Sequence, residues 1–251
     1  MWQKATIYIF ATMDLKEFLQ YGADQYLPQL SIDLVIIGYE KNILKCLLLK
    51  IGEKWLLPGG YIQTNESVDD AASRILTNRT GLEDPYLNFL TVFGNEKRQF
   101  SDEWKEYFKK EKIKWSEDYW INKRFVTLAF YSLVDISKTT PEIGGLDETF
   151  AWFSFNELPP MWMDHKSIVI EARNRLKEDI RHEQITYNLL PHYFTMPDLH
   201  QLHQAILNEK LDRSRFQKKM LATGRFERLP KLQKETPGRN PYQYRIKKEI
   251  F

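Results

Sequence analysis

The sequence predicts an α/β protein with a small second domain at its C-terminal end. Three observations carry this. Two apolar runs, 32–39 and 44–51, join through Gly38-Tyr39-Glu40-Lys41-Asn42 as a hairpin of buried strands. Residues 66–80 then switch to helical periodicity, with Val68, Ala72, Ile75 and Leu76 on one stripe and Gly81 as the stop. Beyond residue 186 the chain reads helix, short turn, helix and hairpin, and its charge changes sign.

The elements follow in order. Residues 14–21 place Leu15, Phe18 and Leu19 on one face of a short helix. The strand 32–39 is interrupted by Asp33, and residues 55–60 form a short strand that the pair Gly59-Gly60 breaks. Strands are expected over 88–93, 124–134 and 150–155. Between the first two of these lies a polar, aromatic insertion, 95–122, in which Trp104, Tyr107, Phe108 and Trp115 build a small helix. A connection of this length is usually functional. Ile168, Ala172, Leu176 and Ile180 mark a helix over 165–180, and the polar stretch 181–186 marks a domain boundary.

At 251 residues, with 43% apolar and 28% charged side chains, the composition is that of a globular protein with one large core or two small ones. No run approaches the roughly 18 apolar residues that span a membrane. Residues 1–13 lack the apolar core and cleavage site of a secretory signal, so a cytoplasmic location is expected. Cys46, the single cysteine, lies within an apolar run and reads as a small buried hydrophobe.

The chemistry concentrates in one segment. Gly60, five residues, Glu66, seven residues, Arg74, and then Gly81-Leu82 have the frame of a Nudix box. In that family, glutamates directly after the arginine and three and four residues beyond it hold the metal that hydrolyses a diphosphate. Here those positions are Ile75, Asn78 and Arg79. Positions 75 and 79 share a helix face, so a cation there would meet an apolar group and a guanidinium. Gly60, Glu66, Arg74 and Gly81, which resemble the parts that hold the loop's shape, remain. Asp69 and Asp70 read as dipole partners in a first helical turn.

The tail has its own logic. From Tyr187 to Phe251 there are 13 Lys and Arg against 6 Asp and Glu, a net of +7, and the rest of the chain has 23 against 28, a net of −5. Leu199, Leu202 and Ile206 face inward from a first helix, and Phe216 and Met220 from a second capped by Asp212. Strands over 226–229 and 242–246 complete the order of a winged helix-turn-helix. Arg213, Ser214, Arg215, Gln217, Lys218 and Lys219 surround the exposed surface of the second helix, suited to a DNA major groove. Arg239 and Asn240 lie at the hairpin tip, where they could follow the backbone or reach the minor groove. His200 and His203 share a face without a third metal ligand and read as solvated or capping.

The combination resembles the Nudix-related transcriptional regulators, which join a catalytically degenerate Nudix domain to a C-terminal winged helix. In the tail the resemblance rests on Leu189-Leu190-Pro191, Phe194-Thr195, Leu211-Asp212-Arg213, Lys218-Lys219-Met220-Leu221, Gly238-Arg239 and Tyr244-Arg245. In the first domain it rests on Asp33, the broken box, Arg124 and Asp164-His165. It implies a Nudix α/β/α sandwich with a mixed sheet over 1–183 and a winged helix-turn-helix over 187–251. It further implies a homodimer on a double-stranded DNA operator, repressing until a sugar or nucleotide-sugar (ADP-ribose or a pentose) enters the old substrate cleft. Asp33, Tyr61, Gln63, Arg98 and Arg124 are the expected effector contacts, with no catalytic residue, metal or cofactor. The insertion 95–122 departs from the pattern. An active diphosphate hydrolase with an atypical metal site is the alternative, and a scaffold without ligand or DNA is a third reading.

Overall fold

The computed structural model describes residues 15–82, 86–143, 149–182, 185–232 and 240–247. The first domain is a mixed seven-stranded sheet between helices. After helix α1 (Leu15–Gln25) come β1 (Tyr26–Glu40), β2 (Ile43–Ile51), β3 (Lys54–Leu56) and β4 (Gly59–Gln63). Helix α2 (Val68–Thr80), β5 (Tyr86–Phe93), α3 (Ser101–Lys110), β6 (Val126–Val134), β7 (Thr149–Ser154) and α4 (His165–His182) follow. The strand path is β3-β2-β1-β6-β5, with β4 on β1 and β7 on β2. β1 runs parallel to β6 and antiparallel to β2 and β4.

Alternation along β1 sorts its side chains between two layers. Ile32, Leu34 and Ile36 face α2, packing with Ala71, Ala72, Ile75 and Leu76. Val35 and Ile37 face α4, packing with Ile168, Val169, Ala172 and Leu176. Asp33 falls on this second face by the same rule. The layers are therefore helix, sheet, helix. Cys46 is fully buried in the α4 layer, and burial pushes its thiol pKa up, as befits a packing group.

The second domain contains β8 (Phe194–Thr195), α5 (Met196–Leu207), α6 (Arg213–Ala222), β9 (Phe226–Lys231) and β10 (Tyr242–Ile246), with sheet order β8-β10-β9. Thr195 and Asp198 form a reciprocal capping box at the start of α5, and Asp212 accepts the Arg215 N–H at 2.7 Å to start α6. The α4-side core continues into this domain through Leu189, Phe194, Leu199, Leu202 and Ile206, with Phe216 and Met220 beneath α6. Among the described residues no helix is long and apolar enough to cross a membrane.

Several boundaries differ from the sequence reading, each for a physical reason. β1 begins at Tyr26 because Gln63 of β4 pairs with Tyr26 and Val126 of β6 with Leu30, partners that no local pattern encodes. Gly59 and Gly60 open β4 instead of ending a strand. A Cβ on Gly59 would lie 2.6 Å from the Ile32 carbonyl oxygen, so glycine here permits close strand approach. Helix α2 starts at Val68, after the Ser67 cap, and leaves Glu66 in the loop. Trp115 lies outside α3, and Arg124 lies before β6. The two-residue strand β8 was not anticipated.

The insertion 95–122 makes a third core. Tyr107, Phe108, Trp120 and Ile121 bury against Leu19 of α1, Ile51 of β2 and Trp162. Its ends are tied together where the Gln99 amide donates to the Asn122 carbonyl at 2.8 Å.

Candidate effector cleft and nucleic-acid interface

The box loop is clamped by one ion pair. Arg74 donates to Glu66 at 2.9 and 2.6 Å and to the Tyr61 carbonyl at 3.0 Å, and the Gln63 N–H donates to Glu66 at 2.7 Å. Burial alone would raise the Glu66 carboxyl pKa, but these donors hold it below the usual range. Glu66 is thus fully engaged in holding the loop. At the other end, Gly81 takes φ +68 and returns its N–H to the Thr77 carbonyl, closing α2.

The donor set on α2 does not suit a hard divalent cation. Ile75 is 3% exposed and packs so tightly on Gly60 that a Cβ there would lie 3.0 Å from its Cδ1. Asn78 and Arg79 are half-buried and offer one neutral oxygen and one cation. Among the described residues no group of three or more His, Cys, Asp or Glu side chains is placed to hold a metal. Asp70 is engaged with the Ser67 cap, consistent with a first-turn role.

Beside the box lies a buried polar cluster. Arg98 donates to Asp164 at 2.9 and 3.1 Å, to Asp33 at 3.4 Å and to the Phe125 carbonyl at 3.3 Å. Its side chain is 4% exposed, and four of its five N–H groups are used. His165, the first residue of α4, accepts the Leu57 N–H on Nδ1 at 2.9 Å, so in the neutral ring Nε2 carries the proton, 3.9 Å from Asp33. The cluster therefore joins β1, the insertion and the start of α4. Asp164 and His165 belong to it although neither was among the expected effector contacts. The signal that could have found them was their position directly before the α4 periodicity.

The other expected contacts are placed as follows. The Tyr61 ring sits in an aromatic nest, 4.6 Å from Trp120, 5.5 Å from Tyr26, 5.7 Å from Phe125 and 5.8 Å from Phe18. Burial and then the Asp33 charge raise its hydroxyl pKa, which sets it beside the polar cluster. The nest was invisible in sequence because its members come from α1, β1, β4, the insertion and the residue before β6. Gln63 ends β4 with a half-buried side chain. Arg124 is exposed and donates to the Gly94 and Asn95 carbonyls at 2.8 and 3.2 Å, securing the start of the insertion.

The α6 surface is a different environment. Arg213, Ser214, Arg215, Gln217, Lys218 and Lys219 are all exposed, while Phe216 and Met220 alone are buried. Among the described residues none of these four cations has an ion-pair partner. Asn240 is half-buried at the edge of the wing, and Arg239 lies outside the described residues. The two histidines divide. His200 bonds the Leu211 carbonyl at 2.9 Å, a capping role. His203 corrects the expectation: it is 7% exposed, packed 4.8 Å from Phe216, because its position on α5 turns under α6.

These features define a class: a Nudix-type sandwich whose box helix carries packing residues in place of metal ligands, joined through one core to a basic winged helix. The "NUDIX domain" family model matches residues 28–172, and the "NrtR DNA-binding winged helix domain" model matches residues 186–246. The chain belongs to the Nudix family, and its C-terminal part matches an NrtR-type winged helix. It is 24% identical over 234 residues to the ADPR responsive transcriptional repressor NtrR of Acinetobacter baylyi, covering 89% of this chain and 84% of that one. Its fold matches Shewanella oneidensis NrtR complexed with a 27mer DNA at TM-score 0.65 and 22% identity, over 87% and 94% of the two chains. A MutT/nudix family protein from Enterococcus faecalis matches at TM-score 0.62 and 23% identity, over 94% of each.

Proposed function

We propose that this protein is a transcriptional repressor that binds operator DNA as a homodimer and releases it when ADP-ribose, or a closely related nucleotide-sugar, occupies a non-catalytic Nudix cleft. The observation that carries the reading is Ile75, a core residue on Gly60 at a position where hydrolysis would need a carboxylate. The similarity to an ADPR responsive repressor supports the choice of effector. The functional units are 1–183, which senses, and 187–251, which binds DNA.

Gln63 and Arg124 offer side chains to a ligand, while Asp33, Tyr61 and Arg98 form the floor beneath it. Arg98 acts there mainly as a brace, since its donors are already committed. A ligand that shifts Asp33 or Asp164 acts on the first turn of α4. That helix spans 18 residues, about 27 Å, and leads into the winged helix. Near its far end the helix is tied to the sheet, and the charge of Asp198 on α5 reaches a tyrosine of β1. Tyr131 of β6 donates to Asp179 at 2.5 Å. Tyr39 of β1 has its hydroxyl pKa pushed up to about 12, by burial and then by Asp198 of α5. An effector that favours one arrangement of this shared core weakens DNA binding, and DNA weakens effector binding by the same factor.

The test is fluorescence anisotropy on a duplex from the protein's own upstream region, with and without ADP-ribose, beside a Mg²⁺-dependent turnover assay. Specific binding relieved by ADP-ribose, without turnover, is expected. Rapid hydrolysis of ADP-ribose would overturn the non-catalytic reading, and absence of any duplex binding would overturn the repressor.

A further inference from the structure

The wing carries a device separate from base reading by α6. In β9, Arg228 and Lys231 are three residues apart, which in a regular strand puts side chains on opposite faces. Here Arg228 pairs with Tyr244 and Lys231 with Tyr242, so β9 uses three steps where β10 uses two. The extra residue falls at Leu229-Pro230, where proline has no N–H for the ladder. The resulting bulge brings both cations onto one ring. The Arg228 guanidinium lies 3.4 Å from the Tyr242 centroid and the Lys231 ammonium 5.3 Å. Both side chains are exposed, and among the described residues neither has a carboxylate partner. Arg245, on the opposite face of β10, is by contrast neutralised by Glu227 at 2.8 Å.

Between this ring and α6 lies a recess of about 370 Å³. Arg213 and Gln217 line it from α6, Arg228 from β9, and Asn240 and Tyr242 from the wing, with Leu221 contributing to its apolar wall. A guanidinium stacked flat on a ring keeps its in-plane N–H groups free, and those are the groups that grip phosphate oxygens in a fork.

We propose that this recess is a phosphodiester clamp, which seats a DNA backbone phosphate between Arg213 and Arg228 with Tyr242 fixing the Arg228 guanidinium. The clamp rests on the DNA-binding reading but not on the operator's identity. A phosphate contact carries no sequence information, so its loss acts equally on every duplex. It fixes the register from which Arg215 and Lys218 meet the groove.

The experiment measures affinity of the full chain for a random-sequence duplex and for the upstream duplex across a salt series. Arg228→Ala is expected to lower the slope of log K against log salt by about 0.9 and to weaken both duplexes by the same factor. Arg228→Lys should keep the slope, because the charge remains, while losing affinity with the fork. Tyr242→Phe should resemble the wild type, and Tyr242→Leu should weaken binding with the slope retained. An unchanged slope in Arg228→Ala, with the wild type binding normally, overturns the clamp alone. A wild type that binds no duplex overturns the DNA-binding reading and the clamp with it. If Arg228→Ala loses inorganic phosphate in equilibrium dialysis yet keeps the duplex slope, the recess is a free-anion site and the clamp is wrong.

Discussion

Helices α2 and α6 are used in opposite ways. Over thirteen residues α2 buries Ala71, Ala72, Ile75, Leu76 and Thr80, and its first turn is tied up by the Ser67 cap. Over ten residues α6 buries only Phe216 and Met220 and leaves four cations in solvent. The difference teaches where function resides in each half. On α2, Ile75 is part of the protein's own core at a position where the Nudix box carries a metal ligand, so substitutions there register as stability. Positions on α6 face solvent, so under the proposed DNA-binding role substitutions there register as binding and leave folding alone.

The largest break in this contrast is Arg215→Ala combined with Lys218→Ala. Two lost DNA contacts should cost at least about 3 kcal/mol, roughly a hundredfold in operator affinity. The melting temperature should barely move, because exposed positions away from caps and cores stay within about 0.5 kcal/mol. A matching drop in melting temperature would show that α6 depends on these side chains for folding. Arg98→Ala should do the reverse. Removing the guanidinium leaves Asp33 and Asp164 facing each other, and a buried pair broken on one side costs about 3 kcal/mol. Chemical denaturation measures that loss. A loss below about 1 kcal/mol would mean that solvent reaches the cluster, and would return Arg98 to the ligand.

His203 gives the winged helix a pH dependence of its own. Burial, then Lys219 and His200, lower its pKa from 6.5 to about 4. Between those values the unfolded chain binds a proton that the folded chain refuses, so stability is full above pH 6.5 and falls as pH approaches 4. The loss attributable to this group is about 3 kcal/mol across the window. Comparing pH-dependent melts of the wild type and His203→Gln isolates it. Equal slopes in the two proteins would sink the assignment.

Much of this was legible in the sequence, and the failures share one cause. The α2 stripe, the Gly81 stop, the Asp212 cap and the exposed set on α6 follow from spacing and local propensity, which a single segment carries. The early start of β1, the role of Gly59-Gly60 and the nest around Tyr61 depend on strands and rings far apart in the chain. Asp33 and Arg98 were named as effector contacts alongside the resemblance, which does not say how the two side chains bond. Only the fold brings Arg98 within 2.9 Å of Asp164 and shows the pair as a brace. The second histidine of α5 failed in the same way: its neighbour Phe216 comes from the next helix.

The smallest effect sharpens the comparison most, because it asks whether Ile75 is truly core. Gly60 does not adopt a left-handed φ, so alanine is sterically open to its backbone and would even stiffen the unfolded chain. What opposes it is the Ile75 side chain, with Cδ1 at 3.0 Å and Cγ1 at 3.1 Å from the new methyl. Gly60→Ala should therefore cost about 1 kcal/mol by overpacking. Ile75→Val should cost a similar amount by leaving a small void. Together they should cost less than their sum by about 0.5 kcal/mol or more, since the removed methyl is the one that crowds the added one. Strict additivity would mean that Ile75 swings clear of Gly60 at little cost. The box helix would then be a loosely filled surface rather than a committed core, and the contrast with α6 would lose its basis.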